Sequence, residues 1–140
     1  MTKEWARQNL DGVTSTVFVP SLLNFHLVSN TGAAFSLFAR MTTLLGFLSL
    51  TVTIILLVLI TTSPPLPLIK GLSYASLLGG TVGNGLDRWR LGYVTDFLEL
   101  KPIDFPIFNI ADIAINIALI LILFSFYLNE THKKKHKSHQ

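Results

Sequence analysis

Two aspartates stand where acids are costly. Asp112 alone brings charge into the otherwise uncharged run Asn109 to Leu128, and Asp96 sits in the apolar setting Val94-Thr95-Asp96-Phe97-Leu98. A carboxylate at the centre of a bilayer costs roughly 2.5 kcal/mol or more, and less near its edge. One reading of Asp112 is structural: an acid in the first turn of a helix complements the dipole and the free N–H groups. The other reading pairs it with Asp96. Pro102 and Pro106 lie between the two acids, so the chain can fold back and present one to the other. Two carboxylates in one low-dielectric site tend to share a proton and titrate as a pair. One then acts as general base on a water, and the other, protonated, polarises a scissile carbonyl. Taken alone, the pair also suits a proton relay in a transporter.

Other polar residues cluster near these acids in three groups. They are Asn30-Thr31-Gly32-Ala33-Ala34-Phe35-Ser36, then Gly79-Gly80-Thr81-Val82-Gly83-Asn84-Gly85-Leu86-Asp87-Arg88 with Val94 to Phe97, and Phe105-Pro106-Ile107-Phe108-Asn109-Ile110-Ala111-Asp112. Asn30, Asn84 and Asn109 are neutral donors and acceptors, suited to holding a peptide backbone or orienting a carboxylate. Their structural readings are a turn at Asn84-Gly85 and a helix cap at Asn109. Asp87 and Arg88 read either as site residues or as a surface ion pair with a snorkelling anchor. Gly79 and Gly83, with Ala75 one step back, form a small-residue stripe for helix packing, and His26 reads as structural. A zinc protease lacks its His-Glu-x-x-His pattern, and no metal site or cofactor is expected. A thiolate nucleophile is excluded because the chain has no cysteine. No histidine lies in a long apolar run, so a Ser–His pair within the membrane is unsupported.

The elements that must position these residues are membrane helices. Of 140 residues, 50% are hydrophobic and 14% charged, whereas a soluble domain carries about 25% charged residues. Mean hydropathy is +0.54. Met41 to Ile60 carries no charge and matches the roughly 20 residues that a helix needs to cross about 30 Å of hydrocarbon. The sequence predicts spans at 41–61, 66–86 and 107–128, with Thr61-Thr62-Ser63-Pro64-Pro65 as a cytoplasmic turn. The basic run His132-Lys133-Lys134-Lys135-His136-Lys137 makes 129–140 a cytoplasmic tail under the positive-inside rule rather than a nucleic-acid site. Residues 1–40 and the loop 87–106 then lie on the outer side, where the three polar clusters converge. An odd number of spans with this orientation leads to the expectation of a further span upstream of Met1.

The outer segment is patterned differently. Val13 to Val19 is β-branched and aromatic, follows Asp11-Gly12 and ends at Pro20, and Leu22 to Val28 reads as a second short strand. A small hairpin or cradle at the interface is predicted, because open strand edges are not tolerated in hydrocarbon. The fold class is an all-α polytopic membrane bundle with a small extracytoplasmic β-cradle.

Five motifs in order, Asn30 to Ser36, Gly79-Gly80 to Gly83-Asn84, Asp87-Arg88, Val94 to Phe97 and Phe108 to Asp112, resemble those of lipoprotein signal peptidase (signal peptidase II). The resemblance runs from Thr2 to about Leu128. It implies Asp96 and Asp112 as the catalytic dyad of a multi-pass aspartic protease, a hydrolase of the bacterial inner membrane with its site at the extracytoplasmic face. It implies Asn30, Asn84, Asp87, Arg88 and Asn109 as supporting or substrate-binding residues. The substrate implied is a diacylglyceryl-modified prolipoprotein, cut just before its lipidated cysteine. Membrane lipids and globomycin-type cyclic peptide inhibitors are the other implied partners. The family has four spans, the first ending in Asp-x-x-x-Lys; Thr2-Lys3 matches the end of that pattern, and the aspartate and its helix would precede Met1. The alternatives are a noncatalytic truncated paralogue, a lipid- or lipoprotein-binding membrane protein, and a proton-coupled transporter. The last would need polar residues through the full depth of the bundle, whereas the inner halves of the spans are almost wholly apolar.

Overall fold

The computed structural model describes residues 2–12, 15–32, 38 and 40–137, with side chains as far as Leu128. The stretch Ala33 to Leu37, the first two residues of the predicted Val13–Val19 strand and the side chains of the basic tail lie outside the described residues. The chain runs through a short helix α1 (Thr2–Asn9), strands β1 (Thr16–Val19) and β2 (Leu23–Asn30), and helices α2 (Thr42–Thr62) and α3 (Leu68–Leu91). Strand β3 (Val94–Leu100) and helix α4 (Ile110–Lys137) follow.

Helix α2 is apolar on nearly every face, with Leu48, Ile54 and Val58 all more than half exposed. Beyond its first turn its hydroxyls find partners within the helix. Ser49, Thr53 and Thr62 each donate to the carbonyl four residues earlier, at 2.7–2.9 Å, so the helix can sit in hydrocarbon without orphaned polar groups. Helix α4 exposes Ile120, Leu123 and Phe126 in the same way. Among the described residues two helices are long and apolar enough to cross a membrane, Thr42–Thr62 and Ile110–Leu128. Helix α3 is not one of them, because Gly79, Gly80, Gly83, Asn84, Asp87, Arg88 and Arg90 dilute its apolar character.

Helix α3 packs against both α2 and α4, and small residues set those distances. A Cβ at Gly80 would meet the Ala111 carbonyl at 2.5 Å and Ile115 Cγ1 at 2.6 Å, and one at Gly83 would meet Ala111 Cβ at 3.3 Å. Gly79, expected to share this seam, has open space around it. The packing stripe is therefore Gly80–Gly83, shifted one residue from the i, i+4 pattern of Gly79 and Gly83. On the other side a Cβ at Gly85 would lie 3.0 Å from Ser49 Cβ, and Trp89 Nε1 donates to the Gly46 carbonyl at 3.2 Å.

Helix α3 continues past Leu86, where a loop was expected, and stops at Leu91. Gly92 adopts φ +80°, a left-handed cap that returns its N–H to the Arg88 carbonyl, a conformation glycine takes without a Cβ clash. The sheet is antiparallel in the order β1-β2-β3. Both strands expected in the N-terminal segment are present, and β3 adds a third from within the expected loop. Its core is Ala6 and Leu10, from α1 and the turn after it, against Phe97 and Leu98 of β3, with Phe25 and Phe108 packed around them.

Candidate active site

Strand β3 delivers the first acid. Phe97 faces the core and is 3% exposed, which turns the neighbouring Asp96, 2% exposed, to the opposite side. Pairing of β2 with β3 shifts register between Phe25↔Leu98 and Val28↔Asp96. An irregularity of this kind re-aims the side chains beyond it, and it sets Asn30 on β2 within reach of Asp96. After Leu100 the chain turns back through Pro102 and Pro106. Phe108 then bonds to Leu98 in both directions, at 2.9 and 3.1 Å, and this fixes Asn109 and the start of α4 beside β3.

Helix α4 delivers the second acid. The Asn109 side-chain Oδ1 accepts the N–H groups of Ala111 and Asp112 at 2.7 and 3.2 Å, and Asp112 Oδ2 accepts the Asn109 N–H at 3.0 Å. This is a reciprocal capping box. The structural reading of Asp112 and Asn109 is therefore correct, yet each residue has a second contact that capping does not need. Asp112 Oδ1 accepts Asn84 Nδ2 at 2.7 Å, and Asn109 Nδ2 donates to Asp96 Oδ1 at 2.6 Å and to Asn84 Oδ1 at 3.2 Å. Asn30 Nδ2 donates to Asp96 Oδ2 at 2.9 Å.

The three asparagines obey one rule. Each has its carbonyl oxygen held by a group that can only donate: the Gly32 N–H at Asn30, the Lys3 ammonium at Asn84, and the first-turn N–H groups of α4 at Asn109. The amide nitrogen of each must then point the other way, and each points at a carboxylate. Asn84 lies inside α3, so the alternative reading of Asn84-Gly85 as a turn does not hold.

Contrary to the surface reading, Asp87 and Arg88 do not pair with each other. Asp87 is 8% exposed, accepts the Thr95 N–H at 2.9 Å, and pairs with Lys3 at 2.9 Å and Arg7 at 3.5 Å. Arg88 donates to the Gly32 carbonyl at 3.0 Å, and its positive charge acts on Asp112 and Asp96. Burial pushes the Asp96 carboxyl above its ordinary value; the Asn109 and Asn30 donors oppose that rise and the Asp112 charge reinforces it. His26 lies outside this network, 3.6 Å from Glu99.

Two residues of the network, Lys3 and Arg7, escaped the sequence reading as parts of the site. Lys3 Nζ bridges Asn84 Oδ1 at 2.7 Å and Asp87, and Arg7 donates to Thr95 Oγ1 at 2.6 Å. Their signal was available: Lys3, Ala6, Arg7 and Leu10 recur at the i, i+3, i+4, i+7 spacing of a helix face. Groups of His, Cys, Asp or Glu that could hold a metal do not occur among the described residues. The site is an acid pair in an amide frame, suited to proton transfer.

Residues 1–128 match the family model described as signal peptidase (SPase) II. A lipoprotein signal peptidase of Parasynechococcus marenigrum is 49% identical over 133 residues, covering 95% of this chain and 84% of the relative. One from Trichormus variabilis is 39% identical over 138 residues, covering 99% and 87%. Two bacterial membrane enzymes solved by the in meso method share the fold. The first has a TM-score of 0.86 at 28% identity, covering 94% of this chain and 82% of that one, and the second 0.79 at 29%, covering 89% and 82%.

Proposed function

This chain belongs to the signal peptidase II family, whose members remove signal peptides from prolipoproteins in membranes, and from that premise we propose that it is an aspartic endopeptidase with Asp96 and Asp112 as its dyad. The observation that carries the reading is the asparagine frame. Asn30, Asn84 and Asn109 hold both carboxylates and leave each with lone pairs free for a water or a substrate carbonyl.

The two acids differ in a way that assigns their parts. Asp96 is buried in a strand, where burial favours the protonated form; it carries the shared proton and donates it to the scissile carbonyl oxygen. Asp112 lies in the first turn of α4, with Oδ1 held by Asn84 and Oδ2 by the Asn109 N–H; it accepts a proton from the attacking water. Water oxygen bonds to the carbonyl carbon and gives a neutral gem-diol. Collapse returns a proton to Asp96, passes the Asp112 proton to the leaving amine, and breaks the C–N bond. Arg88 beside the pair limits the repulsion between the acids without joining either of them.

The substrate is a diacylglyceryl-modified prolipoprotein, cut before the lipidated cysteine where its signal segment leaves the membrane. The chain crosses the bacterial inner membrane at 41–61, 66–86 and 107–128, with 1–40 and 87–106 outside and the basic tail 129–140 in the cytoplasm. The middle span, less apolar than the other two, keeps Ser73, Thr81 and Asn84 buried and packs between α2 and α4. Globomycin-type peptides bind at the dyad.

Reconstitution with a lipidated prolipoprotein tests the proposal. Cleavage is expected from the wild-type chain, falling by about 10³-fold or more in Asp96→Asn and Asp112→Asn. An inserted, folded wild-type chain that leaves the prolipoprotein intact, or an Asp112→Asn variant that still cuts, would overturn it.

A further inference from the structure

Below the dyad, α4 carries a polar side chain that the chemistry above does not use. Asn116 is exposed within the apolar stretch Ile110–Leu128 and has no hydrogen-bond partner among the described residues. It follows Asp112 by one helical turn, so it lies about 40° around the helix from the acid and about 6 Å deeper. Leu119 and Leu123 continue the same face at i+7 and i+11 from Asp112, and both are exposed. Ala111 and Ile115, on the neighbouring face, meet Gly80 of α3. Asn116 lies about 100° around the helix from Ile115 and is thus turned away from the α3 seam, whereas Asp112 borders that seam and accepts Asn84 Nδ2.

An amide facing hydrocarbon is costly unless it finds a partner. A lipid tail offers none. The occupant that continuity with the dyad selects is the signal segment of the substrate, an inference that rests on the function proposed above. Its scissile bond must lie at Asp96 and Asp112, and the signal segment precedes that bond, so it descends into the membrane alongside α4. We propose that Asn116 is a substrate-positioning residue that hydrogen-bonds the backbone of the signal segment a few residues before the cleaved bond. Leu119 and Leu123 form the apolar track beneath it. A backbone partner suits the position because backbone groups near the cleaved bond, being in extended chain, lack the internal bonds of a helix. The amide, able to donate and accept, can meet such a segment at either group and set its depth against the dyad.

The chain has no cysteine, so Asn116→Cys introduces a unique thiol. In liposomes this variant is mixed with a lipidated prolipoprotein bearing one additional cysteine, scanned over the positions two to five residues before the scissile bond. A short bismaleimide is expected to join the two chains at one or two of those positions, with unmodified prolipoprotein competing, and Ile117→Cys on the adjoining face is expected to link weakly. In kinetics, Asn116→Leu is expected to raise KM about tenfold with kcat little changed, and Asn116→Gln to restore part of the loss. Its pH profile and thermal stability should match wild type, which separates positioning from a structural role. Unchanged KM in Asn116→Leu, or crosslinks that join only two copies of this chain, would overturn the inference while wild-type cleavage still stood. Absence of wild-type cleavage would instead overturn the function proposed above.

Discussion

The two acids are held by opposite means. Asp112 is fixed by its own helix end, through Asn109 three residues before it. Asp96 is fixed from a distance, by Asn30 and Asn109, which lie 66 and 13 residues away in the chain. The first arrangement survives small shifts between elements, because capping geometry is local. The second depends on the β2–β3 register and on the return of Phe108 to Leu98. Asn84, reaching Asp112 from α3, and Asn109, whose amide also donates to Asp96, tie the local acid to the rest of the frame. The acid pair is thus a joint between a rigid helix terminus and a tertiary assembly, and the assembly is its fragile half.

Substitutions should separate the two halves. The largest effect belongs to the α3–α4 seam and reaches both acids. Gly80→Val places new atoms against the Ala111 carbonyl and Ile115, and overpacking of this kind costs about 1–3 kcal/mol or more. A lowered melting temperature in detergent together with loss of cleavage is expected. Unchanged stability would show that the seam is looser than the contact distances indicate. Asn109→Ala comes next, because it removes a helix cap worth about 1 kcal/mol and a donor to Asp96. It should lower both stability and kcat, whereas Asn30→Ala should lower kcat with little change in melting temperature. Equal loss of stability in the two variants would break the distinction between local and distant support.

The smaller effects concern protons. The Asn30 donor opposes the rise of the Asp96 carboxyl. Its loss in Asn30→Ala therefore lets the pair keep its shared proton to higher pH, and the basic limb of the pH–rate profile should move upward. The stability linkage has the opposite appearance to that of a salt-bridged acid. With its folded value raised above the ordinary 3.8, Asp96 binds its proton more tightly in the folded chain than in the unfolded one. Its contribution is fully present below 3.8 and is lost as pH rises through the folded value. The stability of Asp96→Asn relative to wild type should accordingly improve over that window, measurable by thermal denaturation at a series of pH values. A difference independent of pH would show that burial does not perturb this carboxyl.

Much of this was legible from residues alone. Long uncharged runs announce α2 and α4, since few other arrangements of such runs bury enough apolar surface. The Asn109–Asp112 cap follows from spacing within one helical turn. The β-branched run ending at Pro20 announces β1. Less legible was α1, in which polar side chains surround a single buried alanine, so its face is recognised only once β3 is packed against it. The extension of α3 through Asp87 was hidden by glycines, which read as turns in isolation and serve close packing in the fold.

Residue order thus marks α2 and α4 as apolar enough for the membrane and sets where α4 begins. These are properties of neighbouring residues, governed by local propensity, capping and run length. Packing in three dimensions was needed to establish that Asn84 bridges Lys3 and Asp112, that Asp87 turns to Thr95 rather than Arg88, and that Gly80 rather than Gly79 meets α4. Those outcomes rest on the register of packed helices and paired strands, where a shift of one residue exchanges one face for another.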